Sequence, residues 1–177
     1  TARAVRRMTE DAGLALPSYG SYYRVGASDP AHFDAVLACA EALGTPIIRV
    51  WAGRRGSAEA DAAYWDRVVA DSRRCATLAA DVGMRLAYEY HGNTLTDTDA
   101  AALTLLKRVD HDAVTTYWQM RGDGTRAQLT AGLRAVLPWL THVHIQSRGP
   151  GADANGRAPL AAMAETWADW LAIAAQA

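Results

Sequence analysis

One unit recurs along this chain and leaves few folds open to it. A helix with an apolar stripe ends at a glycine, a short apolar run follows, and a polar or glycine-rich loop comes next. The first instance is a helix over 4–12, then Gly13, then Leu14-Ala15-Leu16-Pro17-Ser18-Tyr19. The second helix opens at Asp29-Pro30, an acidic cap followed by a proline whose fixed φ suits a first helical position. Phe33, Val36, Leu37 and Ala40 share one face of it at helical spacing. Gly44 ends it, and Pro46-Ile47-Ile48-Arg49-Val50-Trp51 follows. A third helix over 58–82 stops at Gly83 and leads through Met84-Arg85-Leu86-Ala87-Tyr88 to Glu89. Helices over 97–108 and 126–137 precede the runs 113–118 and 142–145, and a sixth helix over 160–175 closes the chain.

The runs are short, apolar and not cleanly alternating, as in strands covered on both faces. Strict alternation of helix and strand predicts a parallel sheet with right-handed crossovers. No linker or low-complexity segment interrupts it, so residues 1–177 read as one domain of α/β class. Two folds fit, a doubly wound sheet and a (β/α)₈ barrel. The first needs a glycine-rich phosphate turn after its first strand. Gly13 and Gly20 are too far apart to supply one, and Gly53 to Gly56 make only a loop. The barrel needs polar residues at the carboxyl ends of several strands, and that is where the unusual residues lie.

Half of the 177 residues are hydrophobic and the formal net charge is -1. The chain can bury one core, and it has no global basic field to hold nucleic acid. It contains no run of about 18 apolar residues; it starts at Thr1 inside a helical stretch, so the natural N-terminus, with any targeting signal, is expected to lie outside this sequence. Cys39 and Cys75 sit in alanine-rich helical stretches without a ligand-spaced partner. They read as small buried residues, which sets the cytoplasm as the default location.

The strand ends carry the chemistry. After the first come Tyr19, Ser21 and Tyr22. The second gives Arg49, Trp51 and the pair Arg54-Arg55, and the third gives Glu89, His91, Asn93 and Thr94. Trp118 and Gln119 follow the fourth, and His142, His144, Gln146 and Arg148 the fifth. In a barrel these ends converge on one mouth. A carboxylate, an amide oxygen and an imidazole facing one centre suit Mn²⁺, Mg²⁺, Co²⁺ or Zn²⁺.

Leu86-Ala87-Tyr88-Glu89-Tyr90-His91-Gly92 resembles the fifth-strand pattern of the xylose isomerase-like TIM-barrel superfamily, the family of the sugar phosphate isomerases and epimerases. Thr141-His142-Val143-His144-Ile145 resembles its seventh-strand pattern, and Thr116-Tyr117-Trp118-Gln119 its sixth, where Gln119 stands in place of the usual Asp. The resemblance implies an incomplete barrel, about strands three to seven, lacking the first two strands and the last. It implies a divalent metal held by Glu89, Gln119 and His144, with Glu89 also catalytic. His91, Trp51, Trp118 and Arg148 would bind a sugar or sugar phosphate. The implied activity is isomerisation or epimerisation through an enediolate. Family members are commonly dimers or tetramers, which leaves a homodimer open.

Several of these residues also have plainer roles. His142 is expected to be structural, Asp97 to cap the fourth helix, Arg54-Arg55 to be a solvated loop, and Trp65, Trp139, Trp167 and Trp170 to be packing. Three other functions compete: a degenerate sugar-binding barrel, a related dehydratase, and a metal hydrolase of the endonuclease IV type. The last would need more histidine and acidic ligands and a basic groove.

Overall fold

The computed structural model describes residues 1–122, 124–148, 153 and 156–177. Its elements alternate as α1 (Ala2–Asp11), β1 (Tyr19–Arg24), α2 (His32–Leu43), β2 (Ile47–Trp51), α3 (Ala62–Ala80), β3 (Arg85–Glu89), α4 (Asp99–Val109), β4 (Val114–Gln119), α5 (Arg126–Val136), β5 (Leu140–His144) and α6 (Ala164–Ala174). The five strands are parallel and lie in the order β1-β2-β3-β4-β5, each bonded to its neighbour in sequence. A doubly wound sheet reverses its order at a switch point; this one does not. It is a five-stranded portion of a barrel wall.

Local chemistry sets the element ends. Gly44 closes α2 in the left-handed conformation, at φ 71, which costs a residue without Cβ little. Asp61, Thr98 and Thr125 cap α3, α4 and α5 by accepting from backbone N–H groups, and Thr125 forms a reciprocal capping box with Gln128. The cap of α4 is therefore Thr98 and not Asp97. Asp97 instead accepts from Ser57 N at 2.9 Å, tying the loop after β3 to the loop after β2.

The first strand lies later than its apolar run suggests. Residues 14–18 connect α1 to the sheet, Leu14 is exposed, and Pro17 has no N–H to donate to a ladder. The pairing segment is Tyr19–Arg24, where Ser21 and Tyr23 are buried and alternate with Gly20, Tyr22 and Arg24.

Register decides which side chains enter the barrel. Gly20 pairs with Arg49 and Arg24 with Trp51; Arg49 pairs with Ala87, Glu89 with Tyr117, and Gln119 with His144. Paired residues of parallel strands share a face, and residues two apart return to it. The inner face thus carries Ile47, Arg49 and Trp51; Ala87 and Glu89; Tyr117 and Gln119; His142 and His144. Ile47, Ala87 and Tyr117 make a small apolar floor. The main core lies on the other face, between sheet and helices, and includes Ile48, Val50, Leu86, Tyr88 and Trp118.

A candidate metal and substrate site at the strand ends

Glu89, Gln119 and His144 end three consecutive strands and come together. His144 Nδ1 lies 3.0 Å from Gln119 Oε1 and 3.4 Å from Glu89 Oε1. The amide of Gln119 is oriented by its nitrogen, which donates to Tyr90 O at 2.7 Å, so its oxygen faces the imidazole. The carbonyl of Glu89 accepts from Thr96 Oγ1 at 2.8 Å, and Leu95 N donates to Ala52 O at 2.9 Å. The loop after β3 is thereby pinned to the end of β2, which holds the Glu89 backbone in place.

The other carboxylate oxygen of Glu89 faces β2. Oε2 accepts from Trp51 Nε1 at 2.6 Å and from Arg49 Nη1. The side chains of Arg49 and Glu89 are only 14% and 15% exposed, so the pair is largely shielded from water and from screening. Trp51 sits in an aromatic and cationic cluster. The Arg24 guanidinium lies 4.2 Å and that of Arg49 5.0 Å from its ring centre; Tyr22 meets it edge-on at 5.5 Å, and the ring of His91 is tilted against it at 5.0 Å. Burial and the nearby charge of Arg54 lower the pKa of Arg24. His91 is exposed, and its Nδ1 lies 2.7 Å from Gly92 O. A carbonyl only accepts, so Nδ1 carries the proton and Nε2 of the neutral ring keeps its lone pair.

Arg148 is set apart from this centre. It lines a cavity of about 240 Å³ with Tyr90, His91, Asp97, Gln119 and Arg121, which opens beside the amide of Gln119. Arg54 and Arg55 form the loop after β2, where their backbone N–H groups donate to Tyr64 Oη at 2.5 and 3.1 Å.

Trp118 does not reach the mouth. It is fully buried on the helix side, edge-on to Trp167 at 6.1 Å and to Trp170 at 5.3 Å. Its neighbour Gln119 points inward, and strand alternation puts the two on opposite faces. A strand-end position had suggested sugar stacking; parity decides against it. His142 lies on the inner face one step below His144, stacked on Tyr117 at 4.4 Å. Burial lowers its pKa, and so do His144 and Arg85.

Sequence reasoning gave no role to Arg24 or Arg49. The signal for Arg49 was parity: it lies two before Trp51, so the same face carries both. Arg24 was hidden by the misplaced first strand.

The donor set suits a small divalent ion. Neighbouring donors around a six-coordinate ion with bonds of about 2.1 Å stand ~3.0 Å apart, close to the 3.0 and 3.4 Å found here; the ion would displace the Nδ1 proton that His144 turns toward those two oxygens. Among the described residues there is no group of three or more His, Cys, Asp or Glu fit for a metal. The third donor here is an amide, neutral where the family pattern has a carboxylate. Among the described residues, no helix is long and apolar enough to cross a membrane.

The family described as the xylose isomerase-like TIM barrel matches residues 1–165. A 3-dehydroshikimate dehydratase of Bacillus anthracis is 30% identical over 109 residues, covering 58% of this chain and 37% of that protein. The crystal structure of the probable 3-DHS dehydratase AsbF from Bacillus anthracis superposes with a TM-score of 0.76 at 22% identity, covering 89% of this chain and 65% of that one. An L-ribulose 3-epimerase structure gives 0.73 at 17% identity, covering 96% and 63%. A barrel from Mycobacterium smegmatis in complex with magnesium gives 0.65 at 22%, covering 95% and 66%. This chain thus spans 37% of the curated relative's length and under two thirds of the two enzyme structures.

Proposed function

The chain belongs to the xylose isomerase-like TIM-barrel family, and from that premise we propose that it removes the proton beside a carbonyl group of a small polyhydroxylated substrate, with a divalent metal. The observation that carries this reading is the convergence of Glu89, Gln119 and His144 on one centre. These three would hold the ion. When bound, it supplies Lewis-acid stabilisation of an oxyanion next to the reacting carbon.

The chain's own residues do the rest. Both oxygens of Glu89 are engaged, one toward His144 and one by Trp51 and Arg49. Its expected second role as acid and base therefore passes, in this proposal, to His91. The Nε2 lone pair of His91 takes the proton from carbon and returns it to the departing or rebuilt group. Trp51 bounds the substrate on the β2 side, and Arg148 lies beyond Gln119.

Two outcomes follow from one enolate. Loss of a hydroxyl as water is favoured by the dehydratase relative, and by the guanidinium groups of Arg24 and Arg49, which suit a substrate bearing a carboxylate. Return of the proton to carbon, giving isomerisation or epimerisation of a sugar, is favoured by the strand motifs and by the likeness to an epimerase fold.

The test is to supply Mn²⁺ and follow 3-dehydroshikimate by ultraviolet absorbance, with ketohexoses in D₂O followed by proton NMR. An aromatic product from the first, the ring formed when this already conjugated enone loses water, supports dehydration. Deuterium entering carbon in the second supports isomerisation. Neither signal, with metal bound, rejects the enolate reading.

A further inference from the structure

Three guanidinium groups crowd the β1–β2 side of the mouth. Arg24 and Arg49 both lie against Trp51, and Arg54 is near enough to perturb Arg24. Among the described residues, the only carboxylate bonded to any of the three is Glu89, through Arg49. Arg24 spends its Nη1 on a backbone carbonyl, Gly53 O, at 3.0 Å. Positive charge is therefore in excess here, although the chain as a whole carries -1.

That excess opposes a cation at the neighbouring donors. Glu89 is the one anion among Glu89, Gln119 and His144, and its charge is already matched by Arg49. An ion arriving at Oε1 meets a carboxylate neutralised from its other side, and a guanidinium across it. Arg49 also has a way out. It lies over Gly20, where a Cβ would stand 2.8 Å from Nη2, and its guanidinium carbon is 5.9 Å from the ring of Tyr22, a rim residue 79% exposed. Its far side thus runs along a bare stretch of β1 toward an open rim.

We propose that Arg49 is a shared counter-ion: it neutralises Glu89 until an anionic group of the substrate, a carboxylate or a phosphate, draws it away, so that divalent cation and anionic ligand bind cooperatively. This rests on the metal reading above and adds to it a coupling and a substrate charge. Linkage makes the effect reciprocal, since whatever factor the anion adds to cation affinity the cation adds to anion affinity. Arg49 acts here as a positioning residue.

The experiment titrates the full chain with Mn²⁺ and reads free Mn²⁺ by electron paramagnetic resonance. It is run alone, with shikimate as the carboxylate probe, and with methyl shikimate as its neutral counterpart. Couplings of this kind run from about 5- to 150-fold. In the wild type, shikimate tightens Mn²⁺ about tenfold and the methyl ester leaves it unchanged. Arg49→Gln binds Mn²⁺ about tenfold tighter without any anion, and shikimate then adds less than twofold. Arg49→Lys, which keeps the charge, stays near the wild type without anion. Thermal melts of the three proteins confirm folding; should Arg49→Gln not fold, the wild-type comparison of acid and ester decides alone. Mn²⁺ binding that is equal or weaker in folded Arg49→Gln, or unmoved by shikimate in the wild type, overturns the counter-ion role and leaves the metal site standing. No Mn²⁺ bound by any of the three proteins overturns both.

Discussion

The indole N–H of Trp51 donates to Oε2 of Glu89 at 2.6 Å, so the last residue of β2 holds the carboxylate that ends β3. Trp51→Phe removes this donor and keeps an aromatic ring between Arg24 and Arg49. Its stability should fall by about 1 kcal/mol, the ordinary worth of one hydrogen bond. Turnover should fall by more, roughly tenfold, because the rotamer of Glu89 is no longer fixed. Urea melts and a separation of kcat from KM check both; an unchanged kcat would remove Trp51 from the positioning of Glu89.

Gln119→Glu restores a negative donor without changing the length of the side chain. With Mn²⁺ present, affinity should rise by about tenfold, the effect of about 1.4 kcal/mol. Without metal the same variant should be less stable by about 1–3 kcal/mol. It loses the Nε2 bond to Tyr90 O and sets a carboxylate oxygen against that carbonyl. Melting temperature with and without Mn²⁺ reads both effects. A variant no more responsive to Mn²⁺ than the wild type would exclude Gln119 from the donor set.

Trp118→Ala should behave as a core deletion. Trp118 is fully buried against Trp167 and Trp170, and emptying such a site costs about 3–5 kcal/mol. The urea midpoint should fall accordingly, while Mn²⁺ affinity of the folded fraction stays within twofold of the wild type (~0.4 kcal/mol). A stable variant with altered ligand binding would return Trp118 to the mouth.

His142 gives the fold a dependence on acidity. Its folded pKa lies below its unfolded one, about 6.5, through burial and the charges of His144 and Arg85. The unfolded chain therefore binds the proton more readily than the folded one. Above the unfolded value the group is neutral in both states and costs nothing. As pH falls through that value toward the folded one, stability is lost. His142→Gln should lose less melting temperature than the wild type between pH 7 and pH 5.5. Parallel curves for the two proteins would show that His142 contributes none of the slope.

The repeat of helix, glycine and apolar run made the parallel wall legible, because glycine stops and short apolar runs are local signals. The carboxyl-end residues Glu89, Gln119 and His144 were legible for the same reason: each follows an apolar strand. Trp118 was misplaced because its strand is buried on both faces. Val114 to Trp118 are all buried, so hydrophobicity says nothing about parity, and only register with β3 and β5 separates Trp118 from Gln119. Tyr19–Arg24 was missed as a strand because its inner face carries Gly20, Tyr22 and Arg24, while the more apolar stretch before it contains Pro17. Asp97 and Thr98 are adjacent cap residues that sequence alone does not rank; the bond from Ser57 N to Asp97 decides between them.

The order β1-β2-β3-β4-β5 also bears on how the molecule forms. Every strand pairs with the next one made, and Gln119 and His144, 25 residues apart in the chain, meet across one such pairing. Loop closures of that size are entropically modest. Within these five strands, each new strand finds its partner already made. The strands that carry Glu89 and Gln119 pair before the one that carries His144 is made, so these three donors come together only when β5 docks.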